Sequence, residues 1–211
     1  MKNSHKTIGN ILIILGVISV ICAGCLFFFN MLENNRQKEF SEGITGKIKN
    51  SITVESYPDI KKVPEEDDLV MKDQEEYFLE VKDVDGYPLD GYLTIPAIDL
   101  EMAVFDTWND EYLRMSLCRY YGSPYTDDLV IAGHNYRSSF GKLKELEQGD
   151  EVYFTDMNGN ITYYIVMETE VLDGTAVNEM IDGGWDLSLY TCTYGGQSRL
   201  TVRCSRTGDL T

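Results

Sequence analysis

From Thr7 to Leu32 the chain carries no charged residue, and Ile11 to Phe29 is apolar apart from Gly16, Ser19 and Gly24. A helix needs about 20 such residues to cross a bilayer, so this run commits the N-terminal part of the chain to a membrane. Lys2 and Lys6 precede it, and the first acidic residue is Glu33. Basic flanks stay in the cytoplasm, which places residues 1–6 inside, 7–32 across the membrane in a single pass, and the rest outside. A cleaved lipoprotein leader competes through Cys22-Ala23-Gly24-Cys25, but Leu26-Phe27-Phe28-Phe29 continues the apolar run where a mature lipoprotein turns polar. The segment reads as an uncleaved signal anchor.

The outer portion is acidic. All 35 Asp and Glu follow the anchor and the whole chain has a net charge of −17. Phosphate binding needs a basic face, so nucleic acid is excluded as a partner, and the charge reads as solubility of a surface domain. Residues 33–76 are polar, carry Pro58 and Pro64, and run through Glu65-Glu66-Asp67-Asp68 to Glu75-Glu76; they read as an extracellular stalk, with a short helix or two near Gln37 to Asn50. From Tyr77 the pattern becomes short β-runs between turn residues. The expected strands are Tyr77–Val81, Gly91–Ile95, Ala103–Phe105, Leu129–Ala132, Glu151–Thr155, Ile161–Glu168, Trp185–Cys192 and Arg199–Cys204. Helical pieces are expected near Glu111–Leu117, Phe140–Leu146 and Ala176–Met180. Many short strands with few helices make residues 77–211 an all-β domain, a barrel or a sandwich by pattern alone.

One stretch of that domain carries chemistry. Leu187, Leu189 and Thr191 alternate with Ser188, Tyr190 and Cys192, and after a loop containing Gly195-Gly196 a second strand puts Leu200, Val202 and Cys204 on one face and Arg199, Thr201 and Arg203 on the other. An antiparallel hairpin then brings Cys192 within reach of Arg199. A thiol beside a guanidinium is the beginning of a nucleophilic site, and the missing partner is a base. The chain has only two histidines, and His5 precedes the anchor. That leaves His134, at the end of Leu-Val-Ile-Ala-Gly-His-Asn, where a strand end can aim a side chain into a cleft.

Ser188-Leu189-Tyr190-Thr191-Cys192 resembles the Thr-Leu-x-Thr-Cys motif of the sortases, the membrane-anchored cysteine transpeptidases of Gram-positive bacteria, with Ser in place of the first Thr. Gly133-His134 resembles the family's histidine after a strand and a glycine, and Arg199 the arginine that opens the strand after the cysteine loop. Leu93-Thr94-Ile95-Pro96-Ala97-Ile98, Phe140-Gly141-Lys142-Leu143 and Gly149-Asp150 extend the likeness over residues 77 to 205. The resemblance implies a closed sortase-type β-barrel of about eight strands with a few short helices. It also implies a function: Cys192 cleaves a sorting signal in surface proteins through a thioacyl-enzyme, and the acyl group passes to an amine of a cell-wall precursor or a pilin lysine. His134 is the acid and base, Arg199 the oxyanion or substrate-backbone donor, and Thr191 a candidate contact for the substrate backbone. Asn135 resembles class B members, but the connection from Val166 to Trp185 is short for their helical insertion, so subclass and sorting motif stay open.

Each residue also has a plainer reading. Cys204, on the apolar face of its strand, reads as a small buried hydrophobe, and Cys118 fits either role. Arg203 and Arg206 read as rim charges. One histidine and scattered cysteines do not supply a zinc site, so no metal or cofactor is expected at the reacting centre; tuning of the cleft by calcium is left open. Two other function classes compete. Papain-like or wall-hydrolysing cysteine peptidases place cysteine before histidine, whereas His134 precedes Cys192. An inert surface-binding module on a stalk has no use for an activated thiol.

Overall fold

The computed structural model describes residues 2–52 and 79–207. Most of the expected stalk, with its prolines and acidic cluster, lies outside the described residues, as does the start of the strand expected at Tyr77–Val81.

Helix α1 (Lys2–Ser51) is continuous. Its stretch from Leu12 is long and apolar enough to cross a membrane, and Leu12, Ile13, Phe27 and Phe28 stand exposed, as side chains facing lipid do. The residues up to Arg36 form a unit of their own, whereas Gln37 onward belongs to the same compact unit as the β-domain.

The β-strands are β1 (Lys82–Val84), β2 (Tyr87–Ile95), β3 (Leu100–Phe105), β4 (Leu117–Tyr121), β5 (Leu129–Ala132), β6 (Glu151–Asp156), β7 (Ile161–Asp173), β8 (Leu187–Cys192) and β9 (Ser198–Arg206). Their order is β1-β2-β3-β4-β5-β8-β9-β7-β6, and β6 pairs back onto β2. Strands β2 to β9 thereby close into an eight-stranded mixed barrel, with β1 flanking the seam. Only β3–β4 and β5–β8 run parallel. Closure turns on Gly91, which pairs with Val104 of β3 and Asp156 of β6 at a φ of +151°. A Cβ there would lie 2.0 Å from the Thr155 carbonyl oxygen, so the two backbones meet only because the residue is glycine.

The expected alternation holds in β8 and β9. Leu187, Leu189, Val202 and Cys204 fill the barrel with Leu93, Ile95, Val104, Leu129, Ile131, Phe154 and Val166, while Ser188, Tyr190 and Cys192 take the outer face. Most strands run longer than expected, β7 by several residues. Strands β1 and β4 have no counterpart among the expected ones, and the described part of Tyr77–Val81 is not a strand. The three helical pieces become α2 (Asp110–Met115), a 3₁₀ segment (Phe140–Glu145) and α3 (Val177–Ile181). Asn109 caps α2 by accepting from the Tyr112 amide at 2.8 Å.

The segment Gln37–Ser51 departs from the expected stalk. Gln37, Ser41, Ile44, Thr45 and Ile48 recur at helical spacing and are all buried. Ile44 and Ile48 pack with Leu89, Tyr92, Phe105 and Met157 in a second apolar cluster outside the barrel core. Two of the polar members are bound as well: the Gln37 Nε2 donates to the Leu113 carbonyl at 3.0 Å, and Ser41 meets the Ser116 hydroxyl at 2.9 Å. Ile48 is completely buried. Ile48→Ala is therefore expected to lower domain stability by about 2–4 kcal/mol in urea denaturation, where a stalk residue would leave it unchanged.

Candidate active site

Cys192 closes β8 and Arg199 stands directly opposite it in the β8–β9 register. Side chains of such a pair share a face, with Cβ atoms about 5 Å apart. On the other side of β8, the parallel register pairs Ala132 with Tyr190, and the Gly133 amide still donates to the Tyr190 carbonyl at 3.1 Å. Strand β5 ends at Ala132, and the same register continued for two residues brings His134 level with Cys192. Neighbouring strands lie about 4.8 Å apart, so on that register the thiol stands between the segment that carries His134 and the strand that carries Arg199.

Local sequence explains the aim of His134. At Gly133 a Cβ would lie 2.6 Å from the Phe140 ring and 2.7 Å from Leu117, so glycine lets the strand end press onto the 3₁₀ segment. The His134 carbonyl accepts from the Phe140 amide at 3.1 Å, and its ring stacks on Tyr136 at 4.8 Å between centroids. Burial, and after it the positive charge of Arg114, lowers the His134 pKa below its ordinary 6.5, while Asp110 acts the other way. At neutral pH the ring is thus predominantly neutral, able to accept a proton at once.

The three cysteines beyond the anchor separate by environment. All are free thiols. Cys192 is exposed, whereas Cys118 and Cys204 are fully buried. Burial pushes the Cys118 thiol up to about 12 and raises Cys204 further, so neither forms a thiolate at neutral pH. The Arg199 guanidinium donates to the Gly196 and Ser198 carbonyls of the β8–β9 loop at 2.9 and 3.2 Å. Thr191 faces the barrel interior, 2% exposed, with no hydrogen-bond partner for its hydroxyl among the described residues. Its side chain therefore lies on the opposite face from Cys192.

Arg203 corrects the rim reading. It is 2% exposed, and its guanidinium donates to Glu170 at 2.6 Å, to the Ser188 hydroxyl at 2.7 Å and to the Glu179 and Met180 carbonyls at 2.7 and 3.3 Å. A row of rings was also not anticipated. Tyr190 meets Tyr120 edge-on at 5.5 Å and Tyr120 meets Trp108 at 6.4 Å, bordering the outer face beside Cys192. The same-face spacing of Ser188 and Tyr190 with Cys192 was the available signal for both. Among the described residues no group of three or more His, Cys, Asp or Glu is placed to hold a metal ion.

A family model for the Sortase domain matches residues 93–207, from within β2 to just past β9. Sortase C1 from Streptococcus agalactiae is 26% identical with a TM-score of 0.51, over 60% of this chain and 72% of that one. Sortase A from Corynebacterium diphtheriae is 26% identical with a TM-score of 0.53, over 59% of this chain and 63% of its own length. Sortase C from Streptococcus pneumoniae, whose structure is described in terms of catalysis and pilin substrate specificity, is 27% identical with a TM-score of 0.50, over 55% and 67%. No curated protein matches the chain. The domain model alone spans more than half of the residues and contains the Cys192, His134 and Arg199 strand ends, and by that match the chain belongs to the sortase family.

Proposed function

We propose that this sortase is a membrane-anchored transpeptidase whose nucleophile is Cys192. The observation that carries the reading is the register: Arg199 is the direct cross-strand partner of the exposed Cys192, and the β5–β8 pairing, continued two residues past Ala132, brings His134 level with it. Neutral His134 takes the Cys192 thiol proton as the sulfur attacks the scissile carbonyl carbon of a sorting signal, forming a C–S bond and an oxyanion. Arg199 turns from the loop carbonyls of Gly196 and Ser198 to donate to that oxygen. Collapse breaks the C–N bond, and His134 protonates the departing amine. The acceptor amine of a cell-wall precursor or a pilin lysine then attacks the thioester and gives up a proton to His134. Collapse forms the new amide and releases the sulfur, which recovers its proton from His134. No metal is needed at any step.

The same reading places the N-terminus in the cytoplasm and the barrel outside, from Lys2 and Lys6 ahead of the uncharged run. A C-terminal sorting signal and an acceptor amine both meet the enzyme there.

The test follows adducts by mass spectrometry when the chain is incubated with a sorting-peptide library, with and without candidate amines. Cys192→Ala is expected to abolish transpeptidation; residual turnover in it would remove Cys192 from the mechanism. Loss of one oxyanion donor costs about 10²–10³-fold, and lysine offers a mobile point charge in place of a planar pair of donors. Arg199→Ala is accordingly expected to slow transpeptidation by that order, with Arg199→Lys recovering little, in proteins shown by circular dichroism to be folded.

A further inference from the structure

The connection between β7 and β8 is bound to the outer face of the β8–β9 hairpin at two places. At its start, the Gly174 amide donates to the Gln197 carbonyl at 2.8 Å, and Asp173 pairs in register with Ser198. A Cβ at Gly174 would lie 2.7 Å from that carbonyl oxygen and 3.4 Å from the Arg199 Nη1. The connection thus begins beside the Arg199 guanidinium. In its middle, α3 is held by Arg203, whose donors take the Glu179 and Met180 carbonyls, while Nε takes Glu170 and Nη1 also takes Ser188. At Gly183 a Cβ would come within 3.4 Å of the same guanidinium.

A buried arginine with four acceptors is a rigid joint, because each charge-assisted bond removed leaves a desolvated donor behind. Two of the acceptors are backbone carbonyls of the connection, and one is the hydroxyl of Ser188, the first residue of the stretch that ends in Cys192. The strand bearing Cys192 and the connection that starts beside Arg199 therefore share one guanidinium, that of Arg203, as their common support.

We propose that Arg203 and Ser188 form a positioning pair that clamps the 174–186 connection to the nucleophile strand and thereby fixes the setting of Arg199 beside Cys192. Neither residue touches the reacting atoms. The first motif position has a hydroxyl for this reason: it accepts from Arg203, and Thr in its place would accept equally. The proposal rests on Cys192 and Arg199 acting at one site.

The test uses the full chain in detergent micelles as wild type, Ser188→Thr, Ser188→Ala and Arg203→Lys. Two quantities are read: amide hydrogen exchange over residues 175–185, and the ratio of the rates at which iodoacetate and iodoacetamide alkylate Cys192. The ratio reports the positive field of Arg199 at the sulfur. In Ser188→Ala and Arg203→Lys, exchange over 175–185 is expected to rise about tenfold or more with β5 and β8 unchanged, and the preference for iodoacetate to fall about threefold or more. Ser188→Thr keeps wild-type values of both. Wild-type exchange in both impaired variants, or faster exchange spread through the whole barrel, overturns the clamp. So does faster local exchange with an unchanged ratio, which leaves Arg203 purely structural. If Arg203→Lys does not fold, Ser188→Ala decides alone. A wild-type chain in which Cys192 resists both reagents defeats the underlying reading of the site instead.

Discussion

The site depends on β8 being paired on both sides in different senses. Its parallel partner β5 ends at Ala132, two residues before His134, and its antiparallel partner β9 begins on Ser198-Arg199. Because side chains alternate with a period of two, one register on each side suffices to put three chosen side chains on one face. A slip of one residue in either pairing would turn His134 or Arg199 away from Cys192. Burial protects both registers: Leu129, Ile131, Leu187, Leu189 and Val202 would all leave the core with such a slip.

Barrel closure supports that arrangement from the far side. Strand β8 lies in the middle of the sheet order, and β2 joins the two ends by pairing with β3 and β6 through Gly91. The Gln37–Ser51 part of α1 then covers the apolar residues that the barrel leaves on its outside near β2, β3 and α2. Its bonds to Leu113 and Ser116 tie it to both ends of α2's last turn, and α2 carries Asp110 and Arg114, the charges that bear on His134. The chain leaving the anchor is thus structural material of the domain before the undescribed segment begins.

The strand-loop-strand around Cys192 was legible in the sequence because its alternation is strict and both faces have distinct chemistry. The same period was hidden in Leu117-Cys118-Arg119-Tyr120-Tyr121, which follows α2 directly, is bulged against β5 and carries rings on its outer side. The helical stripe of Gln37, Ser41, Ile44, Thr45 and Ile48 was masked by its polar members, of which Gln37 and Ser41 are buried with hydrogen-bond partners on the domain. Arg203 was misread for a related reason. An arginine on the outer face of a strand looks solvent-exposed until α3, more than 20 residues earlier in the chain, is laid across it.

The central claim is that His134 and Cys192 occupy one site, and the chain's two histidines make it directly measurable. Only His134 lies in the domain, so its imidazole can be followed alone by NMR in protein labelled at histidine. Carboxymethylation of Cys192 places a fixed carboxylate at the sulfur. If the strand registers hold, that charge raises the His134 pKa by about one pH unit or more from its lowered starting value. An unchanged His134 titration after complete modification of Cys192 would contradict the account.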